Sequence, residues 1–285
     1  MIHEFCRKLN FPYEAETALA DAYEKVKSDK TALRDMLGAE ENYIMADDES
    51  YKDILKNTAD RLDINRYTLN MVFVITALKP LRYMYWAREY PDKLYWDTVK
   101  DTSYKLEECH KLYGVWGDFT LEWYRLMCKC CLFTLGRLQY EPISSPLDYK
   151  DIVKKGDKII NVHIPSGSPL RTEEVYDSFD KAYEFFGAEG DIIFTCHSWL
   201  LYPPHYEVFP EGSNLRAFYE LWDVVRQEES EEDFWRVFYK EPNISLSEII
   251  PKTSLEKRML DHLKSGGSMG AGQAFIVYRP GKKLR

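Results

Sequence analysis

The hydrophobic period of this chain changes near residue 131, and that change limits the folds open to it. Before that point apolar residues recur every three or four positions, as in residues 14–29, where Leu19, Ala22 and Val26 share one stripe. After it, short segments alternate apolar and polar residues, which is typical of strands. The sequence therefore predicts an α+β protein: an all-helical domain over residues 1–131, then a domain over residues 132–285 with a mixed sheet flanked by helices.

The most apolar part of the first domain is "LNMVFVITAL", residues 69–78. It is too short to span a bilayer. It reads as part of a buried central helix that bends or breaks at Pro80, because proline lacks the N–H that a helix interior needs. The first residues have neither the basic start nor the apolar run of a signal peptide. These features favour a soluble, cytoplasmic protein.

Cysteine spacing and charge exclude several classes of function. Three of the six cysteines lie in "CKCC", residues 128–131, a spacing that fits neither a disulfide framework nor paired metal ligands. We therefore expect buried, reduced thiols and no metal. The net charge is −9, and the acidic excess is present in both halves, so neither offers the basic surface that nucleic acid requires. We expect no nucleic-acid or membrane partner, and the sequence leaves the oligomeric state open.

The second half begins with a strand in residues 132–143 and a second strand in residues 158–165. A helix in residues 173–186 and a strand in residues 191–201 follow. A strand–helix–strand unit implies that its two strands are parallel neighbours. The remainder predicts, in order, a helix in "GSNLRAFYELWDVVRQ", a strand in "FWRVFYK", a helix in "SLEKRMLDHLKSG" and a strand in "GQAFIVYRP".

Each of the first three predicted strands carries polar residues on one face. By alternation they are Arg137, Gln139 and Glu141, then Asn161 and His163, then Thr195 and His197. A sheet covered by helices on both sides is apolar on both faces, so polar stripes indicate the lining of a cleft. Ligands bind outside the carboxyl ends of parallel strands. A single strand histidine is more often structural than catalytic, but the matching depth of His163 and His197 leaves both interpretations open.

The loop "IPSGSPL" joins the second strand to the next helix. Such loops can present backbone N–H groups to a phosphate at a helix N-terminus. Ser166, Gly167 and Ser168 offer amides and Arg171 offers a charge, whereas the two prolines donate no N–H. Glutamates at positions 173 and 174 oppose an anion at the helix end. A phosphate cradle and a purely structural corner both remain open.

The order of elements resembles the core of the GNAT acyltransferases, which bind the pyrophosphate of acyl-CoA at the loop between their fourth strand and third helix. "IPSGSPL" takes that place, with one glycine where two small residues are usual. "SNLRAFYELWDVV" is similar to the Asn…Ala…Tyr helix of those enzymes, with Tyr219 two residues early. More closely, "GRLQYE", "VHIPSGSPL" and "CHSWLL…FPEGSNL" resemble a bacterial two-domain family. Its members join a helical N-acyltransferase-type N-terminal domain to a GNAT-like C-terminal domain, and the resemblance covers nearly the whole chain.

The resemblance implies an acyl-CoA-dependent N-acyltransferase that moves an acyl group, expected to be acetyl, to a small-molecule or peptide amine. His197 is the candidate base, His163 or Glu141 are its substitutes, and Tyr219 is the candidate acid for the leaving thiolate. The implied CoA-binding residues are Ile164, Ser166, Gly167, Ser168, Leu170, Arg171 and Asn214. Cys196 is a weaker candidate as an acyl-carrying nucleophile, because alternation puts it opposite His197. The alternative is a non-catalytic ligand-binding or sensor protein that keeps the fold but has lost the CoA loop.

Overall fold

Helices are the regular elements of the chain up to Cys128 in the computed structural model, which describes residues 1–45 and 49–281. In the described residues they are α1 (Ile2–Lys8), α2 (Tyr13–Ser28), α3 (Lys30–Met45), α4 (Ser50–Leu62), α5 (Arg66–Ala77), α6 (Lys79–Ala87), α7 (Asp92–Val99), α8 (Asp101–Tyr113) and α9 (Leu121–Cys128). The helical character predicted for the first domain is confirmed. The chain divides into two compact units, Met1–Phe133 and Thr134–Arg285. The last four residues of the predicted second domain, 282–285, lie outside the described residues.

The centre of the first unit is α5, in which eight of twelve residues are buried. The Asn65 side chain caps its N-terminus by accepting a hydrogen bond from the Tyr67 amide. α5 ends at Ala77, and Pro80 lies in the first turn of α6, where the missing N–H costs nothing. The predicted break at this proline is confirmed. Among the described residues, no helix combines the length and apolar character that a membrane crossing requires.

The second unit contains a six-stranded sheet flanked by helices. Its strands are β1 (Phe133–Leu135), β2 (Leu138–Ser144), β3 (Lys158–His163), β4 (Ile192–Ser198), β5 (Asp223–Glu229) and β6 (Gly270–Tyr278), in the order β1-β2-β3-β4-β6-β5. Its helices are α10 (Thr172–Phe185), α11 (Asn214–Glu220), α12 (Phe234–Phe238) and α13 (Ser254–Lys264). β3 and β4 are parallel, whereas β2–β3, β4–β6 and β5–β6 are antiparallel. The predicted mixed sheet and its parallel pair are confirmed.

The segment 132–143, predicted as one strand, is in fact a tight hairpin. β1 ends at Leu135 and β2 begins at Leu138, with Gly136 and Arg137 in the turn. Gly136 has φ +79, a left-handed conformation that glycine adopts without strain. Arg137 therefore does not share a strand face with Gln139 and Glu141, and the prediction for Arg137 was wrong.

Two predictions between residues 214 and 240 were also wrong. The helix predicted over residues 212–227 ends at Glu220, and the chain continues as strand β5. The predicted strand "FWRVFYK" contains the short helix α12, whose buried residues Phe234, Val237 and Phe238 follow helical spacing. Their burial on one helix face outweighs the β propensity of the aromatic residues.

The last strand, β6, lies between β4 and β5 and depends on a glycine there. A short 3₁₀ turn, Trp199–Leu201, follows β4 and crosses close to β6. A Cβ on Gly272 would lie 2.0 Å from the Leu201 carbonyl oxygen, which no side chain could tolerate. Gly272 therefore permits the close crossing that brings β6 between its neighbours.

The two faces of the sheet differ in character. On one face α10 packs its buried Phe179 against Phe194 of β4, with ring centroids 5.1 Å apart. Ser178 of the same helix exchanges a 2.8 Å hydrogen bond with the Tyr140 hydroxyl. Strand alternation places Asn161, His163, Thr195 and His197 on the opposite face.

Candidate active site

Glu141, Asn161 and His163 form a hydrogen-bonded group on β2 and β3. The antiparallel register pairs Glu141 with Asn161 and Gln139 with His163, so all these side chains share one face. His163 Nε2 lies 2.9 Å from Glu141 Oε2 and 3.0 Å from Asn161 Nδ2. Side-chain exposure is 21% for His163 and 16% for Glu141. The structure thus brings together a partly buried histidine and the carboxylate that the sequence placed beside it.

The parallel strands β3 and β4 separate near their carboxyl ends. They hold parallel register at Ile160–Phe194 and Asn161–Thr195, although β3 continues to His163 and β4 to Ser198. On its other edge, β4 pairs with β6 along its whole length. Diverging parallel strands expose backbone N–H and C=O groups to a ligand that enters between them.

Thr195 and Gln273 continue the polar face from β4 onto β6. Gln273 Nε2 donates a 2.5 Å hydrogen bond to Thr195 Oγ1, which in turn donates to the Ala274 carbonyl at 2.9 Å. The register pairs His197 with Gln273. Gln273 therefore lies beside His197 and keeps the polar face continuous across the centre of the sheet.

His197 forms an ion pair with Glu228 of β5, across the intervening strand β6. His197 Nε2 lies 3.3 Å from Glu228 Oε1, and both side chains are 49% exposed. Ala271 lies between them on β6, and its small side chain leaves room for two cavities of about 250 and 300 Å³. Both cavities are lined by His197, Glu228 and Ala271. His197 therefore stands at the wall of an open cleft and not in the helix-packed core.

A β-bulge in β5 directs Glu228 toward this cleft. The register shifts by one residue between Val224 and Arg226, so that Glu228 pairs with Ala271. An unshifted register would pair Glu228 with Gly270 and turn its side chain to the other face. Arg226 Nη2 contacts Glu228 Oε2 at 3.3 Å. The extra residue in β5 thus produces the histidine–carboxylate pair.

Arg137 organises the loop after β3. Its guanidinium donates hydrogen bonds to the carbonyls of Pro165 at 2.9 Å, Ser168 at 2.7 Å and Pro169 at 3.3 Å. In a trans peptide the N–H points opposite to its C=O, so the amides of Ser166 and Leu170 point away from Arg137. The guanidinium thus fixes the path of the loop through three carbonyl oxygens, and the two amides face the other side of the loop.

The other predicted CoA-binding residues differ in their surroundings. Gly167 has φ +111 and is exposed, as is Ser168, whereas Leu170 is buried and Ile164 is half-buried. Arg171 forms a 3.1 Å ion pair with Glu174, so its charge is already partly compensated. Asn214 is exposed at the start of α11.

Tyr219 packs against Tyr206, with ring centroids 5.0 Å apart, and burial raises the pKa of its hydroxyl. Within residues 1–45 and 49–281, no hydrogen bond or ion pair joins Asn214 or Tyr219 to either histidine. The structure brings His163 to Glu141, but it does not bring these two α11 residues to them.

Cys196 lies on the face opposite His197, where it pairs with Ala274 and is fully buried. Burial raises the pKa of this thiol, which disfavours the thiolate that an acyl-carrying nucleophile needs. The other buried cysteines are Cys6, Cys109, Cys128 and Cys130, and Cys131 is exposed. In the described part of the chain, no group of three or more potential ligands could hold a metal ion.

Two residues of this face, Gln273 and Glu228, were not found from the sequence. Gln273 is the polar residue between Gly272 and Ala274 in an otherwise apolar strand, and that interruption is a signal that alternation could have used. Glu228 had no such signal, because the segment that carries it resembled the continuation of a helix.

A helical first unit followed by a mixed sheet with one parallel pair is the architecture of a GNAT-type acyltransferase with an added helical domain. In agreement, residues 132–276 match the GNAT-like C-terminal domain family and residues 1–130 match the N-acyltransferase N-terminal domain family. The chain belongs to this two-domain family of acyltransferases. None of the curated proteins matches it.

Solved structures of acyltransferases share the fold over almost the whole chain. One, a mutant in complex with octanoyl-CoA, is 20% identical with a TM-score of 0.74, covering 97% of this chain and 87% of the other. A second, in complex with decanoyl-CoA and teicoplanin, is 19% identical with a TM-score of 0.72 and the same coverage, 97% and 87%. A third, in complex with CoA and 10C-teicoplanin, is 17% identical with a TM-score of 0.64, covering 98% and 99%. At these identities the likeness shows a shared fold.

Proposed function

We propose that this protein transfers an acyl group from acyl-CoA to an amine, with His197 as the general base. The observation that carries the proposal is the half-exposed His197–Glu228 pair, on the open sheet face where the parallel strands β3 and β4 diverge. A histidine is the side chain best suited to exchange a proton near pH 7. Its place in a cleft gives an acceptor amine access to it.

The two histidine–carboxylate pairs have different roles in this proposal. Glu228 faces His197 Nε2, which assigns the proton to Nε2 and leaves Nδ1 with a lone pair to receive a proton. His163 is less exposed, and its Nε2 is shared by Glu141 and Asn161. We therefore assign catalysis to His197 and a positioning role to His163 and Glu141, which hold the polar face in place.

In the reaction the acceptor nitrogen attacks the thioester carbonyl carbon. The new C–N bond forms, the C–S bond breaks, and the proton released by the amine passes to His197 Nδ1. The thiolate of CoA then takes a proton, for which Tyr219 remains the candidate donor, although its raised pKa makes it a weaker acid. The Arg137-bound loop supplies the Ser166 and Leu170 amides for the CoA pyrophosphate.

For the acyl chain we propose a range of lengths, and for the acceptor a chemical class. The sequence-based expectation was acetyl transfer, whereas the structural relatives hold octanoyl-CoA or decanoyl-CoA, so chains of two to ten carbons are all candidates. Two relatives are complexes with teicoplanin or its 10C derivative. A peptide-like amine is therefore the acceptor class that we propose.

The test combines binding with turnover. Calorimetric titration with desulfo-CoA and with acetyl-, octanoyl- and decanoyl-CoA measures cofactor affinity, and a thiol reagent measures CoA release in the presence of peptide-like amines. We expect binding of CoA and amine-dependent release of its thiol. Failure of every CoA species to bind would refute the proposal and favour the non-catalytic sensor. Binding with no amine-dependent release would leave only a CoA-binding protein.

A further inference from the structure

The helical unit contains a cavity of about 680 Å³ that the proposed reaction does not use. It is built from residues of Met1–Phe133 alone. Seven of its thirteen lining residues are aromatic: Phe5, Tyr83, Tyr85, Trp86, Tyr90, Tyr95 and Trp96. The volume lies in the range of small-molecule sites, which are mostly apolar with a few polar groups that fix orientation.

Two of the rings that line this aromatic pocket are left open to solvent. Trp86 is 80% exposed and Tyr83 is 68% exposed, on α6. Deeper in the pocket, Tyr85 is only 1% exposed and Tyr95 3%. Large apolar rings around a concavity mark a ligand site more often than rings scattered singly on a surface. Flat faces on several sides favour a planar ring as the occupant.

Four side chains of the pocket lining are charged: Glu4, Lys79, Arg82 and Asp92. Arg82 already binds the Asp92 carboxylate at 2.9 Å, and Trp96 donates to the other oxygen of Asp92 at 3.0 Å. Glu4 lies 3.9 Å from Arg82 as well. Both carboxylates of the lining therefore share Arg82 as their counter-ion, and no ion pair within the described residues involves Lys79.

Lys79 offers the pocket a positive charge, since it lines the pocket and is exposed. Within the described residues its ammonium forms no hydrogen bond or ion pair. It does partly offset the rise that burial causes in the pKa of Glu40, which does not line the pocket. An ammonium at the mouth of an aromatic cavity provides a point charge for an acidic group.

We propose that the aromatic pocket of the helical unit binds a planar aromatic ring that carries an acidic group, with the ring between Tyr83 and Trp86 and the acid at Lys79. Two sources share this chemistry: a free aromatic acid, or a free adenine nucleotide. The site is separate from the proposed acyl-transfer site, and its occupancy can be measured without turnover.

The probe is 2-naphthoate, titrated calorimetrically into the full chain. Its neutral analogue 2-naphthylmethanol tests whether binding requires the carboxylate, and decanoate tests whether binding requires the aromatic ring. We expect 2-naphthoate to bind and both analogues to bind at least fivefold more weakly. Trp86→Ala and Tyr83→Ala should each weaken 2-naphthoate by about three- to tenfold. The matched control is Tyr13→Ala, because Tyr13 is 79% exposed in the same unit but does not line the pocket.

The charge is tested by Lys79→Gln against Lys56→Gln, another exposed lysine outside the pocket. Lys79→Gln should weaken 2-naphthoate about threefold or more and leave 2-naphthylmethanol unchanged. Competition by 3′,5′-ADP would identify an adenine nucleotide as the ligand class, and binding that persists in its presence would identify a separate aromatic acid; either result supports the site. No heat with 2-naphthoate up to 1 mM, equal loss in Tyr13→Ala, or equal affinity for the alcohol would overturn the proposal.

Discussion

His197 and Glu228 form their 3.3 Å ion pair across a strand to which neither belongs. β4 and β5 both pair with β6, and the side chains meet over Ala271. The pair therefore depends on the register of two separate strand pairings and on the bulge in β5. A catalytic role for the pair would explain this dependence, and replacement of His197 tests it.

Replacing His197 should slow the reaction without loss of CoA binding. General-base catalysis is typically worth about 10²–10⁴-fold, so His197→Ala should lower kcat by that order, and His197→Gln, which cannot take the proton, should be almost as slow. Glu228→Gln should lower kcat by about tenfold, because it removes only the carboxylate that orients His197. The control is His3→Ala, since His3 also pairs with a glutamate, Glu16 at 2.7 Å, but lies in the other unit. Activity that falls only in proportion to unfolding would mark His197 as structural.

His163→Ala separates the two histidines. As a positioning residue it should lower kcat by less than about tenfold, and Glu141→Gln should resemble it because both changes break the same 2.9 Å contact. The pH–rate profile should keep its shape in these variants and lose its acidic limb in His197→Ala, because the acidic limb is the one that a general base produces. A larger loss in His163→Ala than in His197→Ala would exchange the roles of the two residues.

The loop is tested by Gly167→Glu, which places a bulky carboxylate beside the Ser166 and Leu170 amides. CoA affinity should fall at least a hundredfold, measured by calorimetry with desulfo-CoA. Gly156→Glu is the matched control: Gly156 has φ +96 against φ +111 for Gly167, so both variants strain the backbone, but a side chain at 156 meets open space. Both variants should lose a similar few degrees of Tm. Equal CoA affinity in both would show that the loop is only a structural corner.

The stability of the helical unit should depend on pH through Asp118. Burial raises the pKa of its carboxyl from 3.8 to about 6, although two hydrogen bonds from Thr120 oppose the shift. The pKa of Asp118 is higher in the folded than in the unfolded state. The stabilisation that comes from its protonated carboxyl is therefore complete below about pH 4 and is lost as the pH rises through 6. Asp118→Asn should therefore lower the free energy of unfolding most at low pH, and this loss should shrink by about 2 kcal/mol between pH 4 and pH 7. Denaturant unfolding of wild type and variant, with exposed Asp21→Asn as control, measures the difference; a cost that is independent of pH would contradict it.

Cys196→Ala tests the thiol alternative. The thiol is buried on the α10 face and its pKa is raised by that burial, so turnover should stay within about threefold of wild type at equal folded fraction. Iodoacetamide should label the exposed Cys131 first in the native protein. Loss of activity a hundredfold or more in folded Cys196→Ala would restore the acyl-thiol route.

The features predictable from the sequence were those with a strong, uninterrupted period. The helical first domain, the break at Pro80 and the parallel strands β3 and β4 all follow from stripes or alternation in a single segment. The contact of Glu141 with His163 also followed, because the two strands are antiparallel neighbours and share a face. In each case local pattern and tertiary burial agree.

Where prediction failed, the local pattern and the tertiary contacts disagree. β5 is an edge strand with most residues exposed, so it lacks the apolar alternation of a half-buried strand, and its bulge at Val225 breaks the period further. Because β5 was not predicted, Glu228 was not identified as a residue of the cleft. For α12 the helical spacing of Phe234, Val237 and Phe238 was present in the sequence, but three bulky aromatic and β-branched residues favoured a strand. Arg137 was misplaced because a two-residue turn interrupts an alternating run.

The strand order has a consequence for how the protein is made. β6 follows β4 and β5 in the chain, yet it lies between them, and both are complete some forty residues or more before it begins. Until β6 emerges, both of those strands present unpaired backbone edges, and non-local pairing of this kind is slow and exposed to aggregation. A nascent chain stalled before Gly270 has a finished helical unit but no cleft. Expression at lower temperature, or with chaperones that shield strand edges, should therefore raise the correctly folded fraction of the second unit more than that of the first.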